Sequence, residues 1–131
     1  MCALLVGLPD VAVVGVGEWP AWLLVAVATF AGRPVCRCGA SPHRHGVREV
    51  DLVDLPVFGR PVRLRWRKQR WRCPVCGAAW TEQDPTIASA RCALTTRAAR
   101  WATVQVGRHG RAVSDVAADL GCSWHPVMDA V

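Results

Sequence analysis

The sequence predicts an α+β fold in which a small β-rich module is followed by a helical module. In the first part, valine-rich runs are bounded by glycine and proline or alternate with polar residues, as strands do. Four of the seven cysteines form two close pairs in the same part. From Leu94 onwards alanine becomes frequent and apolar residues recur at helical spacing. We therefore divide the chain into a β module (residues 1–80), a linker (81–93) and a helical module (94–131).

The apolar N-terminal region predicts a β-hairpin. Buried strands are expected at residues 11–16 and 23–30, with a turn at residues 17–20. Acidic residues, glycine and proline interrupt the region, so no stretch of about 18 apolar residues remains to span a membrane. No basic residue precedes Arg33, which argues against a secretory signal peptide. We expect no membrane partner.

The two cysteine pairs predict a metal site. One residue separates the first pair and two residues separate the second, so each pair can direct both sulfurs at one ion. Two such pairs make a tetrahedral thiolate site, which suits zinc. The predicted ligands of one structural Zn²⁺ are Cys36, Cys38, Cys73 and Cys76. His43 and His45 are alternative ligands if Cys36 points away. The first module is thus zinc-ribbon-like.

The other cysteines and the second pair also allow different interpretations. Cys2, Cys92 and Cys122 stand alone in apolar or helical contexts and are expected to be small buried residues. Cys73 and Cys76 form a Cys-x-x-Cys motif of the kind used by thiol redox proteins. That function is disfavoured because the motif follows a basic strand and does not open a helix in a βαβ unit.

A basic strand leads into the second cysteine pair. After a short strand at residues 50–55 and a turn at 56–61, apolar Val62, Leu64 and Trp66 alternate with arginine. This alternation predicts a strand with its apolar side on a core and its arginines in water. We expect a bulge or bend where the alternation breaks, at Lys68-Gln69.

The charge of this strand indicates a polyanionic partner. The chain carries a formal net charge of +6, and residues 60–72 hold seven cationic side chains and no acidic one. Such clustering attracts nucleic acid more strongly than a diffuse excess of charge does, although a solvated charged face is the alternative. The predicted DNA contacts on the strand are Arg60, Arg63, Arg65, Arg67, Lys68, Arg70 and Arg72.

The last part of the chain predicts three helices. Thr95 can cap the first, which is expected to run to about Gln105 with Arg97 and Arg100 on the outside. The second is expected over residues 112–120, closed by Gly121 in the left-handed conformation. Ser123 is placed to cap a third helix that starts at Trp124.

The spacing within the last two helices is typical of a helix-turn-helix. Val113, Val116 and Leu120 are expected to face inward, as are Val127 and Ala130, and Ala117 is small where the two helices would cross. Exposed residues at the start of the last helix would then meet base edges while arginines hold phosphates. The predicted contacts here are Arg97, Arg100, Ser123, Trp124 and His125. The alternatives are an ordinary helical hairpin and, for Trp124, a place in the core.

These motifs, in this order, resemble the N-terminal part of bacterial insertion-sequence transposases of the ISL-three family. The resemblance covers nearly the whole chain. It is carried by Leu5-Val-Gly-Leu-Pro9, Cys38-Gly39, Asp54-Leu-Pro56, Gly59-Arg-Pro-Val62, Arg70-Trp-Arg-Cys-Pro-Val-Cys-Gly77, Leu94-Thr-Thr-Arg-Ala-Ala-Arg-Trp101, Val113-Ser-Asp-Val-Ala-Ala-Asp-Leu-Gly121, Trp124-His125 and Val127-Met128. One departure is that Val35 stands where the family has its first cysteine, so that Cys36 is one place late.

The resemblance implies a DNA-binding portion of a transposase that recognises the inverted repeats at transposon ends. Full-length members of the family add a catalytic domain with three acidic residues and divalent metal. We expect that domain to be absent, so that this chain alone is not an enzyme. The expected partners are double-stranded DNA and either a second copy of the chain or the full-length transposase. The expected location is the bacterial cytoplasm, at the nucleoid.

Two further functions fit parts of the pattern. A zinc-dependent helix-turn-helix transcription regulator would use the same parts to bind an operator as a dimer. A zinc ribbon that binds only protein would leave the arginine run without a role.

Overall fold

A computed structural model provides the fold and describes residues 11–29 and 32–131. These residues form an α+β structure, as predicted, with one five-stranded sheet and three short helices. The elements are β1 (Val11–Glu18), β2 (Leu23–Thr29), β3 (His43–Val57), β4 (Arg60–Arg72), β5 (Ala79–Thr81), α1 (Thr96–Gly107), α2 (Val113–Leu120) and α3 (Trp124–Ala130).

The sheet has the strand order β1-β2-β4-β3, and β5 also pairs with β4. The predicted N-terminal hairpin is confirmed, since β1 and β2 pair antiparallel; residue 30, its predicted last residue, lies outside the described residues. β1 is less buried than predicted because it is an edge strand, and Val14 and Val16 are each 54% exposed. β2 then runs parallel to β4, and β3 runs antiparallel to it.

One face of the sheet carries the core that the alternation in β4 predicted. Val62, Leu64 and Trp66 are buried there. Burying a side chain such as Leu64 contributes roughly 2 kcal/mol. Ile87 and Ala88 belong to the same cluster, so the segment predicted as a linker packs against the sheet.

The predicted irregularity at Lys68-Gln69 lies in the partner strand instead. The register of the β3–β4 pair shifts between Arg44 and Val47 of β3, whereas Lys68 of β4 stays paired with Arg48. β3 is also much longer than the predicted strand at residues 50–55. Its first residues are polar and exposed, and backbone pairing with the end of β4 keeps them extended.

The helices follow the predicted pattern closely. Thr95 is the N-cap of α1, and its side chain accepts a hydrogen bond from the backbone N–H of Ala98. Gly121 ends α2 with φ +69°. Val116, Leu120 and Val127 are fully buried between the helices, as predicted. Val113 and Ala130 lie at the margin of the same cluster, and Ala117 is buried within it.

A buried carboxylate fastens the helices to the sheet. Asp54 of β3 is 1% exposed, and one of its oxygens accepts hydrogen bonds from Thr95 Oγ1 and Arg97 Nε, both at 2.8 Å. Its second oxygen pairs with Arg97 Nη2. The prediction that Arg97 lies on the outside of α1 is therefore wrong, because its guanidinium compensates this buried charge.

The turn between α2 and α3 is fastened to β4. Arg63 Nη2 donates to the carbonyl oxygen of Gly121 at 2.6 Å, and Arg63 Nη1 donates to that of Leu120 at 3.4 Å. Gly121 also lies so close to Pro61 that an added Cβ would stand 2.6 Å from Pro61 Cβ. The helical module and the sheet are thus packed against each other directly.

We expect Gly121→Ala to lower the free energy of unfolding by roughly 2–4 kcal/mol. The left-handed backbone costs a Cβ-bearing residue about 1–2 kcal/mol, and the contact with Pro61 adds an overpacking cost of similar size. Chemical denaturation of both proteins measures the difference.

Gly110→Ala is the matched control. Gly110 has φ +64°, but nothing lies within 4 Å of an added Cβ. This substitution should lower the free energy of unfolding by only about 1 kcal/mol, since the backbone cost alone remains. Equal losses in the two variants would contradict the close packing of Pro61 on the turn.

Candidate metal centre and basic strand

The four cysteines lie on two loops that fold back in a similar way. The first loop precedes β3: the N–H of Gly39 donates to the Cys36 carbonyl, and the N–H of Cys36 donates to that of Ala40. The second joins β4 to β5, where the N–H of Gly77 donates to the Cys73 carbonyl. Each loop thereby holds its two cysteines on a tight turn.

The two loops bring the four sulfurs together. All four Sγ atoms lie within 4.8 Å of one another. Cys36 Sγ and Cys76 Sγ are 3.5 Å apart, and so are Cys38 Sγ and Cys73 Sγ. A tetrahedral site with Zn–S distances of about 2.3 Å requires sulfurs about 3.8 Å apart. The donor set and the spacing therefore fit one structural Zn²⁺, as the sequence predicted.

Cys36 belongs to this group despite its position one residue late in the chain. It is buried, as is Cys73, whereas the other two ligands are exposed. His43 and His45 are exposed residues at the start of β3 and are not members of the group. The alternative in which a histidine replaces Cys36 is therefore wrong.

The surroundings of Cys73 and Cys36 shift the pKa values of their thiols in opposite directions. Hydrogen bonds from the backbone N–H groups of Cys76 and Val75 lower the pKa of Cys73 to about 6, although burial opposes them. For Cys36, the backbone N–H of Cys38 also lowers the pKa, but burial and the neighbouring thiols outweigh it and raise the pKa to about 12. Because zinc binds thiolates, its binding must release protons from the thiols of the group that are still protonated.

Two tryptophans stand beside the metal site. Trp71 is buried and pairs with Trp80 across β4 and β5. Trp80 lines the same surface depression as Cys36 and Cys76. The guanidinium of Arg33 lies 6.0 Å from the centre of the Trp71 ring.

The isolated cysteines are less buried than predicted. Cys92 is exposed and Cys122 is half-buried, so neither is a fully buried core residue. Burial raises the pKa of the Cys122 thiol. Cys2 lies outside the described residues.

Arg63, Arg65 and Arg67 of β4 alternate with the buried Val62, Leu64 and Trp66, as predicted. Arg65 Nε donates to Asp51 Oδ1 at 2.8 Å, and Arg67 Nε lies 3.7 Å from Glu49 Oε1. Arg60 Nη1 donates to Glu18 Oε1 at 2.6 Å. Such solvent-exposed pairs typically contribute about 0–1 kcal/mol, so these guanidinium groups can exchange a carboxylate for a phosphate at little cost.

Other predicted DNA contacts have structural roles. Lys68 is 8% exposed; its Nζ donates to Gln83 Oε1 at 2.9 Å and lies 4.3 Å from the centre of the Trp66 ring. Burial, together with the charge of Arg48, lowers the pKa of Lys68. Arg63 holds the α2–α3 turn and lies 5.0 Å over the Trp22 ring. Lys68, like Arg97, is therefore not an outward cation, while Arg70, Arg72 and Arg100 are exposed.

The start of α3 is open to solvent. Ser123 is the N-cap residue, but its side chain makes no capping hydrogen bond. Trp124 is 50% exposed, so it is not a core residue, and its ring stacks on His125 with 3.9 Å between centres. Met128, one turn later, is also 50% exposed.

Comparison with known proteins supports the metal site. Residues 34–76, which include all four cysteines, match the family model described as the zinc-finger of transposase IS204/IS1001/IS1096/IS1165. No curated protein and no solved structure matches the chain. None of the helices in residues 11–29 and 32–131 has the length and hydropathy that a membrane-spanning helix needs.

Proposed function

We propose that this chain is the DNA-binding portion of a transposase and that it recognises inverted repeats at transposon ends. The observation that carries the proposal is the four-cysteine site on residues that match a transposase zinc-finger. This site fixes the loop before β3 to the end of β4, so the strand carrying the arginines is anchored by metal at one end. A zinc site of this kind contributes on the order of 10 kcal/mol to folding.

The basic face of β4 supplies the affinity that does not depend on sequence. Arg65, Arg67 and Arg72 are side chains on this strand that solvent can reach. Phosphate contacts of this kind release counterions, so binding weakens steeply with salt. Arg63, Lys68 and Arg97 contribute by holding the fold rather than by direct contact.

We further propose that α2 and α3 act as a helix-turn-helix. The left-handed Gly121 between them and the buried Val116, Leu120 and Val127 support this assignment. The exposed side chains of Trp124 and His125 at the start of α3 would then meet base edges in the major groove. Strand cleavage is not assigned to this chain. Its partners would be duplex DNA at the bacterial nucleoid and a second copy or the full-length transposase.

The salt dependence of DNA affinity tests the role of the basic face. We expect Arg67→Ala to weaken binding to all duplexes alike and to reduce the slope of log K against log salt by about 1. Arg67 is the best choice because its side chain is 56% exposed and its contact with Glu49 is long. Fluorescence anisotropy between about 50 and 200 mM salt measures the slope.

Arg108→Ala is the matched control, since it removes the same charge from the exposed end of α1. Its slope should remain that of the unmodified protein. A loss confined to one cognate sequence in Arg67→Ala would contradict a phosphate role. Footprinting on transposon ends and on promoters separates the transposase function from that of a transcription regulator.

A further inference from the structure

Phe58 stands alone at the tip of the β3–β4 hairpin. Its side chain is 95% exposed, more than that of any other large hydrophobic residue in the described part of the chain. Val57 and Arg60 pair directly, so the tip consists of Phe58 and Gly59 only. A two-residue tip of this kind is narrow and projects from the sheet.

The backbone at this tip is unfavourable for phenylalanine. Phe58 has φ +50° and Gly59 has φ +78°, which are the positive values of a type I′ turn. The first position of that turn favours asparagine, aspartate or glycine. A bulky residue with positive φ is an outlier that costs free energy and, being fully exposed, gains none from burial. Folding therefore gives no reason for phenylalanine at this position.

The tip lies near the helices proposed to read DNA. Pro61, three residues after Phe58, contacts Gly121 between α2 and α3. Three residues of extended chain span about 10 Å. Arg63, further along the same strand, is hydrogen-bonded to the Gly121 carbonyl. An aromatic side chain and the start of α3 are thus fixed relative to each other by β4.

We propose that Phe58 is a wedge that inserts between base pairs of the bound duplex and unstacks them. This inference rests on the DNA-binding function proposed above. Proteins that deform DNA commonly insert an apolar side chain such as phenylalanine or leucine between base steps. Duplex DNA fits better than a protein partner, because one side chain on a two-residue tip offers about 200 Å² while stable protein interfaces bury more than about 1,200 Å². The net charge of +6 also favours a polyanion.

The substitution Phe58→Asn separates folding from insertion. Asparagine suits the turn, so the thermal midpoint should stay equal or rise. Phe58→Leu is the matched control, because leucine keeps both an apolar wedge and the unfavourable backbone. The probes are two short duplexes that are identical except for one mismatched base pair, which lowers the cost of unstacking.

The unmodified protein and Phe58→Leu should bind the mismatched duplex more tightly than the matched one, by about tenfold for a stacking difference near 1.4 kcal/mol. Phe58→Asn should bind the two duplexes equally.

Equal binding of both duplexes by the unmodified protein would overturn the wedge while leaving the DNA-binding function intact. Binding of neither duplex would overturn that function and the wedge with it. If analytical ultracentrifugation shows that Phe58→Asn differs from the unmodified protein in oligomeric mass while DNA binding is unchanged, Phe58 forms a protein contact and the wedge is overturned.

Discussion

Cys73→Ser is expected to abolish zinc binding and to unfold the cysteine end of the sheet. Cys73 is 1% exposed and belongs to the four-sulfur group, so its loss removes a buried ligand of the metal. Structural zinc contributes on the order of 10 kcal/mol in small modules, and this loss falls on the loops and strand ends that the metal joins. Elemental analysis should find about one zinc per chain in the unmodified protein and none in the variant.

The unfolding should be graded along β3 and β4. The middle of β4 is held by the core around Leu64 and Trp66, independently of the metal. The first residues of β3 are exposed and depend on pairing with the end of β4. Amide hydrogen exchange in Cys73→Ser should therefore rise in the cysteine loops, in residues 43–49 and in β5, before it rises in residues 62–66.

Cys92→Ser is the matched control for this variant. Cys92 is exposed and does not belong to the four-sulfur group, so the same change of sulfur to oxygen should leave zinc content and exchange unaltered. Retention of zinc and of protected amides in Cys73→Ser would contradict the assigned ligand set.

Asp54→Ala should have the second largest effect, a loss of about 2–4 kcal/mol in the free energy of unfolding. Breaking a buried ion pair by removing one partner costs about 3–5 kcal/mol. The Arg97 side chain is 31% exposed and can recover some hydration, which reduces that figure. The Thr95 hydroxyl loses its acceptor as well, so the start of α1 is weakened. Urea unfolding measures the change.

Asp51→Ala is the control, because Asp51 lies on β3 like Asp54 and also pairs with an arginine, Arg65 of β4. Its side chain is 51% exposed, so the loss should stay below about 1 kcal/mol. The hydrogen bond and charge of Arg65 lower the pKa of Asp51, so this small contribution is present above the ordinary aspartate pKa and fades as the pH falls below it. Equal losses in the two variants would contradict the role of Asp54 in joining helices and sheet.

The features that the sequence predicted correctly are those with a local chemical cause. Paired thiols identify the metal site, and alternation of Val62, Leu64 and Trp66 identifies the buried face of β4. Thr95 and Gly121 mark helix ends, because a capping hydroxyl and a left-handed glycine act within a few residues.

The features that were missed depend on distant partners. The early half of β3 has a polar sequence, and only its pairing with β4 makes it a strand. Lys68 and Arg97 look like surface cations, but Trp66, Gln83 and Asp54 bring them into the structure. The sequence alone assigns Asp54 no structural role, because an acidic residue in a short strand does not reveal its distant partners. Phe58 became informative only when its exposure and its positive φ were known together.

X-ray absorption at the zinc edge of the purified, reduced protein shows directly whether Cys36, Cys38, Cys73 and Cys76 hold one zinc ion and so anchor the basic strand. We expect four sulfur ligands at about 2.3 Å and no nitrogen or oxygen ligand. A folded protein without zinc, or a zinc ion with a histidine or water in place of one sulfur, would contradict it.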